Sequence, residues 1–209
     1  MAITNGYCTL SDVKAALRIS DSTDDSLIEV AIESSSRLID GYCSRNFNNQ
    51  GTATRLYVAR DPYYVQVDDF QSVITLKTSI LVPGTFDVTW NLPGSVPQDV
   101  QLEPLNGGWE GSAWSYDRLR ATGRYFFPTL SPNFSQQALV QLTAVFGWAS
   151  VPTVIKQATI IQSMRIYKRL DSPLGVAGFG EFGVMRVSRM LDPDVQMLVE
   201  PYRKMNILA

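Results

Sequence analysis

The side chains able to do chemistry are present in this sequence, but not in the groupings that chemistry needs. Among its 209 residues there is no histidine. That removes the commonest general base, the commonest zinc ligand and every Ser-His or Cys-His nucleophile pair. Serine is plentiful, yet no G-x-S-x-G elbow occurs. Gly178-Phe179-Gly180-Glu181-Phe182-Gly183 matches G-x-G-x-x-G by letter. A dinucleotide site needs that motif to leave a strand and open a helix. Here it follows a helical stretch and precedes Val184-Met185-Arg186-Val187, so a hydrophobic arm anchored by Phe179 and Phe182 is the better reading. Asp21, Asp24 and Asp25 lack the Gly and closing Glu of a calcium loop and read as helix-capping residues. Asp68 and Asp69, adjacent on a strand, point to opposite faces and cannot share a substrate, so they read as a solvated strand end. Tyr63, Tyr64, Trp109, Trp114 and Tyr116, with Arg118, Arg120 and Arg124 nearby, offer a base or sugar platform, or simply core and interface aromatics. No catalytic, metal-binding or cofactor-binding residue is assigned, and the chain is not expected to be an enzyme.

The elements that must position these residues fall into three stretches. A first helix starts at the N-cap Thr9, with Asp12 three residues on. A second runs from Asp24, with Leu27, Ile28, Ala31, Leu38, Ile39 and Tyr42 as its apolar positions. Steps of three and four from Leu27 also land on Ser34 and Ser35, small residues expected to mark a helix crossing. Residues 50–150 then alternate with period two: Leu56 and Val58; Tyr63, Val65 and Val67; Ile74, Leu76 and Ile80; Phe86, Val88 and Trp90; Val140, Leu142, Ala144 and Phe146. Pro83-Gly84 and Pro93-Gly94 punctuate them, which predicts six or seven short antiparallel strands. Residues 104–123 read as a long exposed loop. Helical periodicity returns at Pro152, with Val154, Ile155, Ala158, Ile161 and Met164 as the buried face. A last helix is expected from Asp192 to about Lys204.

The predicted fold class is therefore α+β. A helical framework of about four helices, residues 1–49 and 151–209, is interrupted by an antiparallel sandwich or barrel-like β domain at 50–150. A hydrophobic content of 45% excludes a mainly disordered chain. Eighteen basic against 20 acidic residues leave no bulk nucleic-acid footprint. Residues 1–49 are net acidic and 151–209 net basic, which would let neighbouring copies attract head to tail or the two blocks pack within one chain. Cys8 and Cys43 are too few for a disulfide framework and read as reduced thiols. No signal peptide or membrane span is expected.

The block YCTLSDVKAALRISDSTDDSLIEVAIESSSRLIDGYCSRNF resembles the opening of phage head-to-tail connector proteins of the gp6-like adaptor type. Its ending matches an I-D-x-Y-C-x-R-x-F pattern through Ile39, Asp40, Tyr42, Cys43, Arg45 and Phe47. The block VPTVIKQATIIQSMRIYKRLDSPLGVAGFGEFGVMRVSRMLDPDV is similar to the tail of the same family. The β section departs from the short, mostly helical members. The resemblance implies a structural virion protein of the neck, assembled in the host cytoplasm. It would form a homo-oligomeric ring, usually a dodecamer, beneath the portal protein. It would join the portal to a downstream stopper or tail terminator, and genomic DNA would pass its lumen without specific binding. Lumenal Lys and Arg would grip phosphates, so the near-neutral balance suits a channel.

From the resemblance and the basic C-terminal composition, portal or subunit contacts are expected at Phe179, Phe182, Arg186, Arg189, Tyr202, Arg203, Lys204 and Leu208. The alternative is a β-domain binding module recognising a sugar or another tail or host protein, carried by the helices.

Overall fold

The computed structural model describes residues 3–79, 85–106, 114–129, 139–170, 176–177, 185–186 and 191–204. Two compact units divide the chain: Met1–Phe47 with Val151–Ala209, and Asn48–Ser150.

The first unit is helical. Helix α1 (Leu10–Leu17) starts at Thr9, whose side chain accepts from the Asp12 N–H while Asp12 accepts from the Thr9 N–H, a reciprocal capping box. Helix α2 (Asp25–Cys43) ends at Ser44 in the left-handed region. Helix α3 (Thr153–Leu170) follows Pro152. Two short strands, β7 (Val176–Ala177) and β8 (Met185–Arg186), pair antiparallel. Helix α4 (Pro193–Val199) is capped by Asp192 and passes into a 3-10 turn, Glu200–Tyr202. This is shorter than the helix expected to Lys204. Pro201 has no N–H to continue the ladder, and the chain tightens there instead. Val13, Ile28 and Ile32 pack with Leu10, Ile160, Met164 and Tyr167, so the amino- and carboxy-terminal blocks share one apolar core. Ile155 and Ala158 of α3 are fully buried, as their spacing predicts, and so are the polar Thr159 and Ser163. Their hydroxyls donate to the carbonyls of Ile155 and Thr159 one turn back, which satisfies both donors within the helix.

The second unit is a six-stranded antiparallel sheet in the order β1-β6-β2-β5-β4, with β3 also on β2. Its strands are β1 (Asn49–Tyr57), β2 (Tyr64–Thr78), β3 (Val88–Thr89), β4 (Val100–Glu103), β5 (Tyr116–Ala121) and β6 (Val140–Gly147). The sheet is open, not a closed barrel or a two-sheet sandwich. The reason is β2. Its 15 residues pair with β6 along one edge, and with β5 and then β3 along the other, so one strand stitches all of them into one sheet.

Register irregularities between Phe70/Ser72 and Val73/Thr75 shift the pleat of β2. Ile74 is consequently exposed while Leu76 is fully buried, so the face those two residues were expected to share does not exist. In β6 the alternation holds without interruption: Val140, Leu142, Ala144 and Phe146 are all buried. The stretch expected to be a long loop contributes β5 in its second half. Trp90 stacks on Phe127 at 4.5 Å between ring centroids at the heart of this core.

Candidate interaction site

The helical unit concentrates its specific contacts where α2 ends. Five positions there, Ile39, Asp40, Tyr42, Cys43 and Phe47, hold three separate stretches of chain together. The Tyr7 hydroxyl donates to Asp40 Oδ1 and accepts from the Phe47 N–H at 3.0 Å. The Tyr7 N–H donates to Ser36 Oγ at 3.1 Å. Burial, reinforced by the Asp40 hydrogen bond, pushes the Tyr7 phenol well above its ordinary value, so it stays a donor at neutral pH. Burial also raises the Asp40 carboxyl, against the pull of the Tyr7 hydrogen bond and of Arg37, whose Nε lies 3.3 Å away. Phe47, fully buried, meets the Tyr7 ring edge-on at 5.7 Å on one side and the Tyr202 ring at 5.8 Å on the other. The Tyr42 hydroxyl donates to Glu200, and the Lys204 N–H donates to the Cys43 carbonyl at 2.8 Å. Ile39 and Cys43 are fully buried. Of the I-D-x-Y-C-x-R-x-F residues, Ile39, Asp40, Tyr42, Cys43 and Phe47 thus work as a fastening. They tie the start of the chain and the turn after α4 to the end of α2.

The chemistry of this cluster is that of a fastening, not of a reaction. Both cysteines are free and buried. Burial pushes the Cys8 and Cys43 thiols up to about 12, so each is protonated and a poor nucleophile at neutral pH. An S-x-x-K pair is not expected from the sequence, yet Ser11 and Lys14 have that spacing on α1, a correction to that expectation. Lys14 Nζ is held by Asp25 Oδ1 at 2.6 Å and by the Asp21 carbonyl, while Ser11 Oγ lies on Thr9 Oγ1. Asp24 stands at the α2 N-cap, but its side chain accepts from the Tyr167 hydroxyl at 2.6 Å instead of capping. Among the described residues no cluster of His, Cys, Asp or Glu is arranged to hold a metal ion. No helix among them is long and apolar enough to cross a membrane.

The expected contact residues are placed as follows. Tyr202 is 2% exposed and packs on Phe47 inside its own chain, so it is a core residue in this structure and not an outward contact. Arg203 is exposed, lies 3.6 Å from Glu200 and sits over the Tyr42 ring. Lys204 is partly exposed beside Cys43. The Arg186 backbone belongs to β8. Phe179, Phe182, Arg189 and Leu208 lie outside the described residues, as do Trp109, Ile80 and Pro83-Gly84. Of the two serines expected at a helix crossing, Ser35 is fully buried and Ser34 is exposed, while Ser36 takes the second buried place. Ser34 and Ser36 lie 200° apart on the helical wheel, and Ser36 falls beside the buried Ile32, Ile39 and Cys43, where the Tyr7 N–H meets it.

In the β unit, Asp68 and Asp69 do point apart. Asp68 accepts from Arg55 and Tyr57 at the surface, whereas Asp69 is buried and accepts from Trp148 Nε1 at 3.0 Å. Asp69 is therefore a structural acceptor and not part of a solvated end. Trp114 packs edge-on against Trp148 at 5.2 Å, which takes it out of any exposed platform. Tyr63 and Phe126, by contrast, meet edge-on at 5.5 Å while both remain more than half exposed.

Comparison with known proteins follows this division. Residues 7–79 match the family model described as phage gp6-like head-tail connector protein. The matched stretch begins at Tyr7, includes the whole fastening of α2, and continues through β1 and β2. The match therefore does not stop where the β section begins, and it does not include the C-terminal block. No curated protein sequence matches the chain.

Three solved structures share the fold over 100% of this chain and 95% of theirs. They are the neck of an empty GTA particle computed with C6 symmetry (15% identity, TM-score 0.54), the neck of a native GTA particle computed with C12 symmetry (16%, 0.51), and the virion of a native gene transfer agent particle (15%, 0.53). Residues 7–79 are thus similar to the phage gp6-like head-tail connector family, and the fold is similar along its whole length to chains of gene transfer agent necks.

Proposed function

We propose that the chain is a structural head-to-tail adaptor of a virion neck, present as a homo-oligomeric ring beneath the portal. The ring passes the packaged DNA through its lumen and presents its far side to the next neck or tail protein. The observation that carries this reading is the coincidence of two things: the stretch matching the connector family is the stretch that holds the helical unit together, from Tyr7 through Phe47. The whole-chain likeness to neck chains solved with six- and twelve-fold symmetry supports a ring and favours twelve copies. The protonated, buried thiols and the absence of histidine fit a part whose work is mechanical.

Portal docking through the C-terminal segment is retained for Arg203 and Lys204, whose side chains reach solvent, and dropped for Tyr202. Purified chain mixed with portal rings tests both levels. Stable co-sedimentation is expected, weakened by Arg203→Glu with Lys204→Glu at unchanged helicity. No binding by the wild-type chain to portal, alone or in extracts of infected cells, contradicts the adaptor. A second reading attaches to the β unit alone, through the exposed Tyr63–Phe126 pair. Binding of the chain to a glycan array, lost in Tyr63→Ala, would favour it.

A further inference from the structure

Helix α2 has a second apolar face that stands about half exposed among the described residues. At 100° per residue, Leu27, Val30, Ser34, Leu38 and Gly41 fall within an arc of about 80°, and the buried Ile28, Ile32, Ile39 and Cys43 lie on a different side. Leu27, Val30 and Leu38 are 44%, 49% and 46% exposed. A side chain added at Gly41 would meet nothing within 4 Å. The steps of three and four, with small residues at Ser34 and Gly41, are those of a seam into which another helix packs its side chains. Three large apolar side chains aligned on one helix are more than scattered surface exposure.

We infer that this stripe is the subunit interface: a helix of a second copy of this chain covers it. The inference rests on the ring reading above and gives that ring a named surface. Charge decides how the copies meet. Helix α2 carries Asp25, Glu29, Glu33 and Asp40 against Arg37, whereas α3 carries Lys156, Arg165, Lys168 and Arg169 and no acid. Within the chain Asp25 pairs with Lys14, Asp40 with Arg37, Lys156 with Asp12 and Arg165 with Asp192, so the charge that remains for a contact between copies is acidic on α2, at Glu33, and basic on α3, at Lys168 and Arg169. Two copies joined α2 to α2 would bring like charges together. Joining α2 of one copy to α3 of the next brings opposite charges together, and such a head-to-tail contact is the kind that closes into rings. Lys168, exposed near the end of α3, is the cation placed to reach the neighbour's acidic helix.

The test is assembly of the full-length chain on portal rings, followed by native mass measurement and electron microscopy. Val30→Glu with Leu38→Glu should leave far-ultraviolet dichroism and the unfolding midpoint of the free chain unchanged, because both sites face water there. It should lower ring formation at least about 100-fold, because each copy would bury two carboxylates without partners. Lys168→Glu should weaken the ring about three- to tenfold, more at low salt than at high. A wild-type ring that forms equally well from the Val30→Glu, Leu38→Glu chain overturns the interface and leaves the adaptor standing. Failure of the wild-type chain to form a ring on the portal or in assembled particles overturns both.

Discussion

The two units solve the problem of holding a fold together in different ways. The β unit relies on one long strand and a dense apolar core, with Trp90 on Phe127 and Trp148 bonded to Asp69. The helical unit packs Val13, Ile28 and Ile32 of its first two helices against Ile160, Met164 and Tyr167 of α3, with Ser35, Ser36, Thr159 and Ser163 buried among its helices. It adds the fastening around Asp40, Cys43 and Phe47, which ties distant stretches of chain by hydrogen bonds and ring contacts. The contrast teaches that the connector-like pattern at the end of α2 is a structural device. Its side chains each tie down another part of the chain.

All four tryptophans lie within residues 50–150, so tryptophan fluorescence reports the β unit and dichroism at 222 nm reports the helices. That separation makes the contrast testable. The largest effect is expected from Phe47→Ala, which removes the ring between Tyr7 and Tyr202. The helical transition should lose about 3–5 kcal/mol, and the fluorescence transition should move much less. Equal losses in both signals would erase the distinction between the units.

Next comes Gly147→Ala in the β unit. Gly147 has φ +83°, and an added Cβ would lie 2.0 Å from the Asn48 carbonyl oxygen, so the strand end must shift. A loss of about 1–3 kcal/mol is expected in the fluorescence transition. Asp69→Ala, which strands the Trp148 indole N–H, should cost a similar about 1–3 kcal/mol, with a shifted emission maximum.

The smallest effects concern the caps. Thr9→Ala should cost the helical unit about 1 kcal/mol. Hydrogen bonds from Thr9, joined by Lys156, hold the Asp12 carboxyl down at about 2. Because this folded value lies below the unfolded one of about 3.9, its contribution is complete above about pH 4 and is lost as the pH falls towards 2. In the β unit Asp99 behaves alike. Desolvation raises its carboxyl, but hydrogen bonds from the Asn91 N–H and from Arg124 outweigh that and hold it below the ordinary range. Acid titrations of Thr9→Ala and Asp99→Asn should each flatten the loss of stability below pH 4. An unchanged acid limb in either would contradict the assignment.

What was legible in the sequence was what local pattern determines. Thr9 with Asp12 marked a helix start, β6 alternated without a break, and the block from Tyr7 to Phe47 carried its resemblance in the residues that turn out to hold the unit together. What was not legible depends on partners distant in sequence. Nothing near Ile74 announces the register shifts that β6 imposes on β2. The partner that Ser36 meets on the buried side of α2, the Tyr7 N–H, lies 29 residues away. Tyr202 looked like a surface anchor because the ring of Phe47 that covers it lies more than 150 residues earlier. Asp69 looked solvated until Trp148 supplied its donor.

The most direct test of the account is a cryo-electron microscopy map of the assembled particle in which this chain carries a small fused tag. The account predicts a ring of copies at the neck, directly beneath the portal, with α2 of each copy against a helix of the next. Tag density elsewhere in the particle, or particles with complete necks that lack the chain, would contradict it.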